Sequence, residues 1–301
     1  MTPDTVIRTE GLTKLFGSAR GVLDLDLAVH AGEVFGFLGP NGAGKSTTIR
    51  LMLDLIRPTR GRVELFGLDS RRDSVAIRRR LGFLPGDLRL YERMTGRELL
   101  AYFAGLRGLR GLGAGEELAA RLDLELDRPI AALSRGNRQK VGLVQAFMHG
   151  PELLVLDEPT TGLDPLVQQR FHELVREATA AGSAVFLSSH VLPEVQHVAD
   201  RVALIRDGRL VLVDTVEALR ERASMRVEVT FAEPPPAGAF SGLPGVREVE
   251  RRNTTVRFSV EGEADPLVKA LARYHVRVLE STEADLEDIF LTLYGAGESD
   301  A

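Results

Sequence analysis

The 301-residue chain contains no cysteine, which removes disulfides and thiolate metal sites from consideration and suits a reducing compartment. No apolar run approaches about eighteen residues, so no segment is built to span a membrane as a helix. The amino-terminal MTPDTVIRTEGLTKLFG lacks the basic stretch and apolar core that a secretory signal needs. An excess of one charge is missing too. With 38 Lys and Arg against 43 Asp and Glu, the formal charge of -5 offers no strong general attraction to nucleic acid or anionic lipid. What remains, 44% hydrophobic and 27% charged residues, is an ordinary globular composition, long enough for two domains.

The stretch VLDLDLAV alternates, placing Leu23, Leu25, Leu27 and Val29 on one face of a strand in an early antiparallel sheet. EVFGFLG is a short apolar run ending in glycine. Behind it, Ile49, Met52, Leu53 and Ile56 recur at helical spacing from Lys45 to Ile56, and Pro58 and Gly61 close that helix before the strand RVELFG. From about Asp87 to Arg135 the pattern is helical, with ELLAYFAGL and EELAARLDL around the glycine-rich loop GLRGLRGLGAG, which predicts an inserted helical lobe over about 87–140. ELLVLDEP and SAVFLSSH are candidates for buried strands, and VALIRDGRLVLVD reads as a hairpin turning at Asp207 and Gly208. Composition shifts after Arg222. Val227, Val229 and Phe231, then Val256, Phe258 and Val260, mark strands of a separate small α/β domain over 223–301. There Asp265 and Pro266 are expected to cap and start a helix, and Leu286, Ile289, Phe290 and Leu293 form a terminal amphipathic stripe.

The chemistry is concentrated in a few places. GPNGAGKST, spanning Gly39, Pro40, Asn41, Gly42, Ala43, Gly44, Lys45, Ser46 and Thr47, fits the phosphate-loop pattern between an apolar strand and a helix. Gly42 and Gly44 let backbone amides curl around phosphate oxygens, Lys45 neutralises phosphate charge, and Ser46 offers a hydroxyl to Mg²⁺. Asp157 ends an apolar strand, where an open α/β sheet presents groups to ligands, and can hold Mg²⁺ through water. Next to it, Glu158 is suited to orient an attacking water. His190 ends the following strand, so it emerges at the same sheet edge and can hydrogen-bond a γ-phosphate. LSRGN places Ser134, Gly136 and Asn137 at a helix start, a second anion-binding pattern in one chain.

Together these residues resemble the nucleotide-binding subunits of ABC transporters over roughly residues 4–220. GPNGAGKST looks like Walker A, LLVLDEP like Walker B, TTGLD (ending at Asp164) like the D-loop, and His190 like the switch histidine. LSRGN stands in the place of the LSGGQ signature, with Arg135 at a variable position and Asn137 where glutamine is commoner. The resemblance implies ATP and Mg²⁺ as ligands and Phe16 stacking on adenine. It implies a head-to-tail homodimer in which Ser134, Gly136, Asn137 and Asp164 of one subunit complete the ATP site of the other. It also implies an integral-membrane permease as partner, and a cytoplasmic location, peripheral on the inner face of the plasma membrane. Gly86 departs from the family pattern, which has glutamine in that loop, so the loop is expected to signal by backbone motion. DLRLYERMTGRELL, with Leu88, Leu90 and Tyr91, is expected to flank the groove for the permease's coupling helix. The carboxyl-terminal part, including its ending DLEDIFLTLYG, resembles the extension on ATPases of ABC-2 type export systems.

The expectation is an α/β protein: a P-loop NTPase core with antiparallel β and helical subdomains over 1–222, plus a small ferredoxin-like α/β domain. Glu158, His190 and Lys45 are its catalytic residues, and ATP hydrolysis drives export. A non-transport ABC ATPase acting on nucleic acid or the ribosome would usually show fused ATPase halves or long coiled-coil insertions, which this sequence lacks, and no nucleic-acid partner is expected. A regulatory module that holds ATP with little turnover is opposed by intact Glu158 and His190 and kept open by Gly86, and a phosphate-release assay separates the two.

Overall fold

In the computed structural model, which describes residues 4–17, 19–222 and 225–282, β1 (Thr5–Phe16) pairs antiparallel with β2 (Ala19–His30). Asp24 adopts a left-handed backbone, φ 51°, and the register moves from Leu12 opposite Leu25 to Lys14 opposite Val22. This bulge corrects the alternating reading of β2: Val22, not Leu23, joins Leu25, Leu27 and Val29 in the core.

β3 (Val34–Leu38) runs through the phosphate loop into α1 (Lys45–Met52). The helix stops a turn earlier than its apolar spacing suggested. Asp54 turns left-handed, its amide donating to the Leu51 carbonyl (3.1 Å) and that of Leu55 to Arg50 (2.8 Å), a Schellman closure that needs neither Pro58 nor Gly61. Ile56 still packs on the core, from outside the helix. β4 (Arg60–Leu65) and β5 (Leu68–Asp69) complete an antiparallel sheet of order β2-β1-β4-β5.

After α2 (Ser74–Arg79) and β6 (Leu81–Leu84) comes the helical lobe: α3 (Gly96–Leu106), α4 (Gly115–Arg121) and α5 (Arg135–Phe147). The chain then alternates through β7 (Leu153–Asp157), α6 (Pro165–Ala180), β8 (Ala184–Ser189), α7 (Leu192–Gln196), β9 (Arg201–Arg206) and β10 (Arg209–Thr215). These strands build a six-stranded sheet, β10-β9-β3-β8-β7-β6, parallel from β9 to β6. Every residue of β3, β7 and β8 is buried, which is why those strands read as continuous apolar runs. Phe186 packs against Phe35 and Phe37, with ring centroids 5.9 and 5.3 Å away. Parallel direction brings the ends of β3, β7 and β8 to one edge, and with them the phosphate loop, Asp157 and His190.

Residues 1–214 form one compact unit and 215–301 a second. The second begins at α8 (Val216–Arg222) and continues with β11 (Met225–Phe231), β12 (Val246–Arg252), β13 (Thr255–Val260), α9 (Asp265–Leu271) and β14 (Val276–Thr282). Its antiparallel sheet has the order β12-β13-β11-β14 over a core that includes Val227, Val229, Phe231, Phe240, Val256 and Phe258. That strand order agrees with a ferredoxin-like sheet, but the crossover from β11 to β12 holds no helix, because four prolines and three left-handed glycines occupy it. Phe240 fills the space from that loop. Ala264, not Asp265, caps α9, and Asp265 lies in the first turn. Leu286, Ile289, Phe290 and Leu293 lie outside the described residues.

Candidate functional site

The phosphate loop is held from several sides. A Cβ on Gly39 would lie 2.4 Å from the Ile205 carbonyl oxygen, and one on Gly44 would lie 2.8 Å from that of Gly21. Gly44 also has φ 112°, so both steric space and backbone demand glycine. From the β9–β10 turn, the Gly208 amide donates to the Ala43 carbonyl at 3.0 Å. Lys45, at the start of α1, is buried and reaches back to the Gly39 and Pro40 carbonyls at 2.6 and 3.2 Å. The first amides of α1 beside it have no intrahelical acceptor, as in any helix.

Opposite the loop, β7 delivers Asp157 and Glu158. Asp157 is buried; one carboxylate oxygen accepts from the Ser188 hydroxyl at 2.5 Å, and the other faces Gly86, where a Cβ would approach to 3.0 Å. Glu158 is the centre of charge in the cleft. Its carboxylate lies 3.3 Å from the Lys45 ammonium and 2.8 Å from Nδ1 of His190, which stands exposed beyond β8. The Glu158 backbone is left-handed, φ 51°, a conformation costing a non-glycine residue about 1–3 kcal/mol and concentrated at functional sites.

These groups share a cleft of about 420 Å³ lined by Pro40, Asn41, Gly42, Gly44, Lys45, Ser46, Thr47, Asp157, Glu158 and His190, together with Arg50, Gly86, Asp87, Arg135 and Thr161. Gly39 and Ala43 lie beneath it as buried parts of the same loop. Phe16 is not among the lining residues. Its ring is 50% exposed, 5.2 Å from the Lys14 ammonium, and close to Gly21, whose carbonyl abuts Gly44.

Ser134, Gly136, Asn137 and Asp164 are not in the cleft of their own chain. Ser134 caps α5, accepting from the Asn137 amide at 3.2 Å, and Asp164 caps α6, accepting from Val167 at 3.0 Å. Gly136 packs so tightly that a Cβ would meet the Gly162 carbonyl oxygen at 2.6 Å. Leu88 and Leu90 are half-buried in a separate groove of about 1180 Å³, whereas Tyr91 is exposed, edge-on to Tyr102.

Sequence reasoning missed Ser188, which fixes Asp157, and Gln139, whose amide donates to the Glu158 and Pro159 carbonyls. Two serines ending an apolar strand were the available signal for the first. Nothing local marks the second.

A parallel sheet with a phosphate loop after β3 and an Asp-Glu pair at the end of β7 defines an α/β P-loop nucleotide-binding protein. The model of the ABC transporter family matches residues 22–161. The bacitracin transport ATP-binding protein BcrA of Bacillus licheniformis is 34% identical over 97% of this chain and 98% of its own length. The daunorubicin/doxorubicin resistance ATP-binding protein DrrA of Streptomyces peucetius is 33% identical over 97% of this chain and 93% of its own. A solved ATP-binding subunit of an ABC transporter superposes with a TM-score of 0.66 at 31% identity, over 72% of this chain and 92% of its own. The chain belongs to the ABC transporter family, as an ATP-binding subunit that hydrolyses ATP.

Proposed function

We propose that this subunit powers export through a separate integral-membrane permease and that Lys45, Glu158 and His190 carry its ATP hydrolysis. The observation that carries the reading is the Glu158 carboxylate set between Lys45 and His190 at the mouth of the phosphate loop. Loop amides and Lys45 bind the phosphates, Glu158 accepts a hydrogen bond from the attacking water and orients it, and His190 steadies the carboxylate and the terminal phosphate. Phe16, beside the loop, supplies a face for adenine.

Among the described residues no cluster of three acidic or histidine side chains could hold a metal alone. The donor set fits Mg²⁺ nonetheless, because that ion is bound through one or two protein oxygens plus substrate phosphates and water, and Asp157 and Ser46 line the same cleft. When bound there, Mg²⁺ neutralises phosphate charge.

Ser134, Gly136, Asn137 and Asp164 sit outside their own chain's cleft, which supports a homodimer in which they complete the partner's ATP site. Among the described residues no helix is long and apolar enough to cross a membrane, so attachment to the inner face of the plasma membrane falls to the permease. The groove beside Leu88 and Leu90 is its docking surface. Relatives named for bacitracin transport and for daunorubicin and doxorubicin resistance point to antibiotic-like cargo. The second unit, which begins at α8, acts as an accessory domain.

The test is the solution mass of Glu158→Gln with and without ATP and Mg²⁺, beside the same protein carrying Ser134→Arg. An ATP-dependent dimer lost with Ser134→Arg is expected. A monomer throughout, or a dimer indifferent to ATP, would contradict the shared-site arrangement.

A further inference from the structure

Glu158 holds a left-handed backbone without being glycine, so its neighbours must supply what the residue itself does not favour. Three elements do so. From β8, Ser188 takes the Glu158 amide on its carbonyl at 3.1 Å and on its hydroxyl at 3.2 Å. From α5, the buried Gln139 donates its Nε2 to the Glu158 carbonyl at 3.3 Å and to that of Pro159 at 3.1 Å. From α7, Glu194 accepts the hydroxyl of buried Thr160.

The last of these ties bears on His190 as well. α7 starts two residues after His190, and the intervening turn is fixed by the Ser189 hydroxyl, which accepts from the Val191 amide at 3.0 Å. The Glu158–His190 pair is therefore one rung between two segments, and Thr160–Glu194 is a second rung between the same two. Neither Gln139 nor Glu194 lines the cleft of its own chain, and the Gln139 amide is committed to the Glu158 and Pro159 carbonyls.

We propose that Gln139 and Glu194 are positioning residues that hold Glu158 in its left-handed conformation and so keep its carboxylate paired with His190. This rests on reading Glu158 as the group that orients water. Gln139 clamps the two carbonyls from one side, and Glu194 anchors the loop to the segment carrying His190 from the other. Because Ser134 caps the same helix that carries Gln139, a shift of α5 is transmitted to the Glu158 and Pro159 carbonyls.

The experiment compares the full chain with Gln139→Met, Glu194→Ala and Glu194→Gln, the last keeping an acceptor for Thr160. Three readouts are taken: kcat and KM for ATP from phosphate release, ATP affinity by equilibrium titration, and the His190 ring resonance in protein labelled at its histidines, assigned with His190→Gln. Gln139→Met and Glu194→Ala are expected to lower kcat at least tenfold with KM and ATP affinity within twofold. They should also move the His190 resonance in the direction seen for Glu158→Gln, whereas Glu194→Gln stays near the parent in all three. An unmoved resonance with kcat within twofold overturns the proposal, as does a parallel fall of kcat, ATP affinity and melting temperature in Glu194→Gln and Glu194→Ala alike. If Glu158→Gln itself hydrolyses ATP at the parent rate, the reading of Glu158 fails instead. The resonance then still reports whether the two ties hold the pair.

Discussion

Asp157 has one oxygen committed to Ser188 and the other facing Gly86, so a side chain at position 86 presses on the oxygen available to a cation. Gly86→Gln is expected to raise the Mg²⁺ concentration for half-maximal phosphate release severalfold, read from a Mg²⁺ titration at fixed ATP; an unchanged curve would show that the loop yields freely. Another residue speaks through pH. His149 is half-buried beside Leu81 with the Arg107 charge nearby; burial first, then that charge, lowers its pKa from 6.5 to about 4, against the Leu81 hydrogen bond. A depressed folded-state value means the unfolded chain takes up the proton first. The contribution is therefore complete above about pH 6.5 and is lost as pH falls toward about 4, at no more than about 1.4 kcal/mol per pH unit. Denaturant melts at stepped pH should show a shallower acid loss for His149→Gln than for the parent. Glu158 and His190, both in the cleft, were legible because each directly follows an apolar strand. Glu194 was not, since its partner Thr160 is 34 positions away and no local period connects them.

Elements were easiest to read where the pattern and the packing agree. β3, β7 and β8 are buried on both faces and showed as apolar runs, and the Asp207-Gly208 turn showed as a hairpin because both residues take positive φ. Where a single non-glycine residue turns left-handed, the sequence carried no sign of it: Asp24 shifts the face of β2 and Asp54 ends α1 early. Helix α3 offers a clean test of an end that is specified locally. Thr95 and Glu98 form a reciprocal capping box, with the Glu98 amide 3.1 Å from the Thr95 hydroxyl and the Thr95 amide 2.8 Å from the Glu98 carboxylate. Thr95→Ala is expected to cost about 1 kcal/mol, measured as a shift in the denaturation midpoint with the slope unchanged.

At the scale of the molecule, the two units have separate cores, one around Phe35, Phe37 and Phe186 and one around Phe231, Phe240 and Phe258. Phe240→Ala, removing a ring packed 4.9 Å from that of Phe258, is expected to cost about 3–5 kcal/mol and to lower one of two calorimetric transitions. ATP with Mg²⁺ should raise only the other, since a ligand stabilises the unit that binds it. The sequence reading set the division at the composition shift after Arg222, whereas the units part at Asp214, ahead of α8, and the missing crossover helix was not legible, because prolines say where a helix cannot be and not what fills its place. The phosphate loop spans residues 39–47, yet its support arrives from the other end of the first unit: Gly208 bonds Ala43, Ile205 closes over Gly39, and β3 is flanked by β8 and β9. A ribosome that has released the complete GPNGAGKST motif has therefore not yet released a nucleotide site. Nascent chains are expected to capture ATP only once residue 208 has left the exit tunnel.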